Sequence, residues 1–219
     1  MRLLFSGDPE TYRIVGRSLF VSVTAVILAG AAGIPAGFFL GRRRFPGKKW
    51  VVKALYVGMG LPPVLAGLVI FILLSRSGPI GRHLYLLFTP TAMIAAQVIL
   101  AFPIVTGLVM SAVEEKAAQV LQTAKGLGAD WRHANLTLLM ELKAPIIVGI
   151  VTAFGRVSAE VGAVMLVGGD IKGYTRVLTT AIVLETRRGR FELAMALGLV
   201  LLTLSFAVNS VLYRWQYKR

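Results

Sequence analysis

The chain has no cysteine. Disulfides and cysteine-ligated metals are therefore excluded, and nothing about redox compartment can be read. Histidine is nearly absent too. His83 and His133 stand 50 positions apart and do not make a metal-ligand cluster. No Gly-x-x-x-x-Gly-Lys-Ser/Thr loop occurs, so the chain should not itself hydrolyse ATP. No internal repeat or low-complexity tract is evident. Acidic residues are scarce: 10 Asp and Glu against 24 Lys and Arg, a net charge of +14. No cofactor is called for.

What is abundant is apolar. Of 219 residues, 56% are hydrophobic and 16% charged, a balance that fits an integral membrane protein better than a soluble domain. The basic residues flank the apolar runs, as membrane topology requires, so the charge does not argue for nucleic acid. Five runs approach the ~20 residues needed to cross the hydrocarbon core: about 18–40, 54–75, 88–113, 145–168 and 191–213. A helix is the economical way to satisfy their backbone in lipid. The expected architecture is all-α, one transmembrane domain over 1–219. The first run is longer than a signal-peptide core and follows Asp8 and Glu10, so it reads as an uncleaved span.

Lys and Arg orient these spans. The loop 41–53, GRRRFPGKKWVVK, carries six basic residues and no acid, which places it in the cytoplasm. The N-terminus then lies outside and the C-terminus inside a cell membrane, with 13 Lys and Arg on inner segments and 10 on outer ones. Segment 169–190 is the outlier. Its core, VLTTAIVL, is too short to span and reads as an interfacial or re-entrant helix. The outer basic residues would raise local anion concentration, dock an acidic partner, or simply be solvated. Trp50, Trp131 and Trp215 fall near inner boundaries and fit an aromatic belt.

Two local features stand out. Gly30, Gly33 and Gly37 permit close packing on span 1. Pro62 and Pro63 must disturb span 2, because two backbone donors are missing. A third feature is a polar module between spans 3 and 4, about 114–144. Apolar residues at 113, 117, 120, 121, 124 and 127 have helical spacing. Gly128 suits the left-handed residue that ends a helix, and Asp130 can cap a second one starting at Trp131. Two short rods meeting at a glycine corner would either join two spans or transmit force into them.

The residues of this module resemble the cytoplasmic signature loop of ABC importer permeases, Glu-Ala-Ala, three residues, Gly, nine residues, Ile-x-Leu-Pro. Gln122, Thr123 and Ala124 stand at Glu-Ala-Ala and Gly128 at Gly; Leu138, Met140 and Glu141 stand at Ile, Leu and Pro. The stretches LPPVLAG (61–67), FGRVSAEVGAVMLVGG (154–169) and TRVLTTAIVLETRRG (175–189) are similar to the tungstate and molybdate permeases of that class. FSGDPE (5–10), FTPTAMI (88–94) and the Glu141 variant favour the tungstate branch. The resemblance implies a type I importer bundle acting as a homodimer. Cytoplasmic ABC ATPase subunits would grip the coupling loop at Gln122, Thr123, Ala124, Gly128, Ala129 and Asp130. An extracytoplasmic tungstate- or molybdate-binding protein would deliver the oxyanion. Substrate would cross at the dimer interface by alternating access.

Arg156 and Glu160 lie four apart in span 4, hence on one face of a continuous helix. A mid-membrane charge costs about 2.5–3.5 kcal/mol on insertion scales, so both should face protein or water. They form either a structural ion pair or a pathway element in which Arg156 attracts a dianion and Glu160 orients it. Gln97 on span 3 bonds a neighbouring helix or donates to an oxyanion. Competing functions are a molybdate or other small-anion permease, a passive anion channel constricted at Arg156, and an intramembrane enzyme using Glu160. The last has no nucleophile and base to assemble.

Overall fold

A computed structural model describes the backbone of residues 9–217, and the side chains of that stretch except those of 209 and 211–217. The FSGD of the FSGDPE stretch and the side chain of Trp215 lie outside the described residues. The described residues form helices and no strand: α1 Pro9–Arg42, α2 Lys48–Met59, α3 Pro63–Leu74, α4 Gly81–Leu84, α5 Pro90–Gly126, α6 Trp131–Glu141, α7 Lys143–Ser158, α8 Gly162–Gly168, α9 Leu178–Arg187 and α10 Phe191–Tyr217. Three of them (α1, α5 and α10) are long and apolar enough to cross a membrane. Two bent pairs, α2 with α3 and α6 with α7, bring the number to as many as five.

The central seam is α1 against α5, the most extensive helix pair in the molecule. Small residues make it close. A Cβ added to Gly37 would sit 2.6 Å from the Thr106 carbonyl oxygen, so only hydrogen fits there. Val21, Ala25 and Ala29 of α1, with Ala101, Val105 and Val109 of α5, are fully or almost fully buried. The remaining helices pack around this seam: α7 and α2 on α5, α3 on α8, and α9 on α10.

The two ends of the bundle are set by contacts. At one end Glu10 takes Lys172 at 3.0 Å, Arg17 donates to the Gly173 carbonyl at 2.7 Å, and the Leu178 amide donates to Ser18 at 2.7 Å. At the other, Lys48 meets Glu114 at 2.8 Å, and Arg42 donates to Asn135. The basic loop 41–53 and the polar module therefore share one end, and segment 169–190 shares the opposite end with the start of α1. Within that segment α9 is a short helix whose Leu178, Thr179, Thr180 and Ala181 are buried against protein, as its length and composition suggested.

The structure gives two expected elements their form and corrects a third. Span 2 is broken, as its proline pair demands, and α2 meets α3 at 105° across Gly60, Leu61 and Pro62. The helix of span 3 continues past 113, as the apolar spacing over 113–127 predicts. It runs unbroken to Gly126, so the first rod of the module belongs to the same helix as the span. Span 4 is not continuous: α7 ends at Ser158 and α8 begins at Gly162.

Candidate functional site

The module begins where α5 leaves the bundle. Val113 and Ala124 remain buried, whereas Leu127 projects 84% exposed at the corner. The helix closes through the Gly128 amide on Lys125 and the Ala129 amide on Ala124, both at 2.9 Å. The wider of these bonds requires a left-handed residue between its ends, and Gly128 supplies it at φ +84°. Asp130 then caps α6, accepting from the His133 amide at 2.7 Å and meeting the His133 ring at 2.8 Å. That amide bond, followed by the His133 side chain, holds the Asp130 carboxyl below the usual carboxylate range.

The corner is anchored on its inner side. Ala134, Leu138 and Leu142 are completely buried, and burying a leucine contributes about 1.5–3 kcal/mol. Lys125 lies 5.8 Å from the Trp131 ring centroid, bridging the two rods. Of the residues singled out in the sequence, Gln122, Thr123, Gly128 and Asp130 are exposed, Ala129 is half-buried and Ala124 is buried. Together they form a fixed surface around an exposed leucine.

The second site lies inside the bundle, where α7 gives way to α8. No ion pair joins Arg156 to Glu160 among the described residues, because the helix that would have aligned them ends between the two. Glu160 is buried, and its carboxylate accepts from the Ala163 amide at 3.2 Å, capping α8. The carbonyls freed by the break are met from neighbouring helices. Gln97 of α5 donates to Val157 at 3.1 Å and Thr179 of α9 donates to Glu160 at 2.9 Å. Gln97 thus bonds a neighbouring helix. Its Oε1 and the Ser158 hydroxyl are buried without a partner and border a cavity of ≈ 10 Å³ beside Glu160.

Arg156 points the other way. It is exposed on the surface of the chain, and its guanidinium reaches the Leu61 carbonyl at 3.4 Å, a long bond to the backbone of the α2–α3 break. Arg156 stands about 20 Å along α7 from Lys143 at its start. The two interrupted spans therefore share one arginine. Sequence reasoning did not foresee the break at 159–161. The signal was present in SAEVG (158–162), a polar side chain three residues ahead of an amide that needs an acceptor.

At the Glu10 end, segment 169–176 is tied by its own side chains. Arg176 meets Asp170 at 3.1 Å and Glu10 at 3.8 Å, while Arg188 and Arg190 meet Glu185 at 3.0 and 3.6 Å. Among the described residues, four of the basic residues expected to give this side its field, Lys172, Arg176, Arg188 and Arg190, are thus matched by carboxylates.

The geometry has relatives. A family of transport proteins described as "binding-protein-dependent transport system inner membrane component" matches residues 33–219. A tungstate uptake system permease protein TupB from Peptoclostridium acidaminophilum is 47% identical over 99% of this chain and 94% of its own length. A probable anion ABC transporter permease protein from Haloferax volcanii is 41% identical over 90% of this chain and 87% of its own. The molybdenum transport system permease protein ModB of Escherichia coli K12 is 31% identical over 94% of this chain and 92% of its own. An unbroken helix delivering a span into a capped, leucine-tipped corner is thus found on a chain that belongs to the binding-protein-dependent transport system inner membrane components.

Proposed function

We propose that this chain is the permease subunit of an ATP-driven importer of tungstate, working as a homodimer with a separate ATPase and an extracytoplasmic binding protein. The continuity of α5 from the membrane seam to Gly126 carries this reading. A force applied at the corner would reach Thr106 and Gly37 without crossing a flexible joint. Leu127, exposed at the tip, offers the ATPase an apolar grip. The basic loop 41–53 at the same end supports a cytoplasmic position for the corner, with the N-terminus outside.

The pathway runs past Arg156. An arginine exposed at mid-membrane cannot face lipid without a penalty of about 2.5–3.5 kcal/mol or more. Facing a second copy across an aqueous passage relieves that cost and sets a positive charge beside a dianion. Because Glu160 is occupied as a cap, Arg156 keeps its charge for the cargo, held among the described residues by one weak bond. The similarity to tungstate and molybdenum permeases supports an oxyanion cargo, with tungstate ahead on identity and coverage.

Reconstitution in liposomes tests the whole reading. With the ATPase and binding protein present, tungstate uptake should require ATP and be competed by molybdate to a degree set by the binding protein. Flux without nucleotide would make the chain a channel, and uptake of neither oxyanion would remove the cargo assignment.

A further inference from the structure

We infer that the chain carries a built site for one anionic phospholipid, in the groove between the end of α1 and the second rod of the corner, α6. The groove has a volume of ≈ 940 Å³, far more than a tetrahedral oxyanion fills. Ile34, Phe38, Leu136 and Leu139 make its apolar wall, and Arg42, Arg43 and Arg132 line it beside them. No acidic residue lines it.

The site is preformed. α6 packs on α5 and α7 rather than on α1, so the gap between α1 and α6 is bridged by side chains. Arg42 makes the bridge: its guanidinium lies 4.5 Å from the Trp131 ring centroid and 5.5 Å from that of Phe38, and it donates to Asn135 Oδ1. Arg43 and Arg132 are exposed, and among the described residues neither meets a carboxylate. Two cations are thus left facing a groove whose third is held in place.

The position selects the ligand. α1 is a membrane span and its last turn holds Arg42, so the groove straddles the boundary between hydrocarbon and headgroups. Charged rims at that depth attract acidic headgroups at about 1 kcal/mol per basic residue. The apolar wall, running one to two turns deeper along α1, receives acyl chain. A free phosphate would use the arginines and leave Ile34, Phe38 and Leu139 without function. A zwitterionic lipid would use the wall and leave the charge unmatched. The bound lipid would touch both the span and the corner, and would tie the corner to the leaflet at the Arg42 end. Its binding does not depend on which ion is transported.

The test uses the purified full-length chain in detergent, with lipid titrated and bound copies counted by native mass spectrometry. Dioleoylphosphatidylglycerol should bind at least roughly tenfold tighter than dioleoylphosphatidylcholine, as two unmatched cations predict. The double variant Arg43→Gln/Arg132→Gln should bring phosphatidylglycerol down to the phosphatidylcholine level. Arg43→Lys/Arg132→Lys should retain most of the preference, which separates lost charge from lost fold. Lys49→Gln/Lys53→Gln removes the same charge from the neighbouring helix α2 and should change nothing. Equal binding of the two lipids would overturn the site, as would equal losses in the groove and control variants. Displacement of the lipid signal by millimolar inorganic phosphate would identify a simple oxyanion site and overturn it too.

Discussion

The continuous helices and the broken ones do different work. α1 and α5 run 34 and 37 residues without interruption and meet through glycine, alanine and valine. Their seam contains almost no polar chemistry. The α2–α3 and α7–α8 spans break near their middles, and the polar groups of the membrane interior collect there: Arg156 on Leu61, Gln97 on Val157, Thr179 on Glu160. An intact helix satisfies its own backbone and offers polar chemistry only through side chains such as Gln97 of α5. A broken one exposes carbonyls and amides that must be met by side chains, which is tolerable only against protein or water. Rigidity and chemistry are therefore divided between the two kinds of span.

The largest effect should come from attacking the rigid seam. Gly37→Leu drives a side chain into the Thr106 backbone, already 2.6 Å from an ideal Cβ. We expect a loss of about 3 kcal/mol or more, the upper range for overpacking, seen as aggregation on size exclusion and a lowered melting temperature. If Gly37→Leu folds normally, the seam is softer than the contacts indicate. Attacking the broken pair should leave the fold intact and remove function. Arg156→Gln should cut ATP-dependent uptake by more than roughly tenfold, the equivalent of about 1.4 kcal/mol, with unchanged dimer assembly. Normal uptake would take the arginine out of the pathway.

The junction between the two behaviours is the corner. Gly128→Val places a β-branched residue at φ +84°, at a strain of about 1–2 kcal/mol. ATPase binding should weaken while the melting temperature of the bundle barely moves, because the strain sits outside the core. Pull-down of the ATPase by purified Gly128→Val chain is the measurement, and full retention would argue against a grip at this corner. The smallest effect belongs to the cap. Asp130 has a carboxyl held below its usual range, chiefly by the His133 amide. The folded form therefore gains from ionisation. That gain is complete above the unfolded value of about 3.9 and is lost as pH falls through the lower folded value. Protection over 131–141, the exchange rate relative to the intrinsic rate at each pH, should fall below about pH 4 in the parent, and in Asp130→Asn, which caps without titrating, it should not change with pH.

Much of this was legible in the chain. The apolar runs, the proline break in span 2, the Gly128 corner and the Asp130 cap all depend on neighbours within a few residues, which is the range over which sequence constrains conformation. The burial of Gly33 and Gly37 in a helix seam was legible for the same reason, since small residues at those spacings have few other uses in a membrane span. Arg156 and Glu160 were picked out correctly as unusual, but their relation was not. A spacing of four implies one face only if the helix continues, and the local cap signal at Glu160 does not by itself force it to stop at Ser158. It stops because Gln97, 60 positions away, and Thr179, 19 positions away, accept the cost of the freed carbonyls.

Composition and local spacing alone determined that the chain crosses the membrane several times and that a capped corner interrupts it. The tertiary structure decided which helices are rigid, which are broken, and that one arginine rather than an ion pair is left exposed among the spans. Hydrophobic length and capping are written in consecutive residues. A break in lipid is permitted only by donors and acceptors that distant helices bring, and their arrival is a property of the fold.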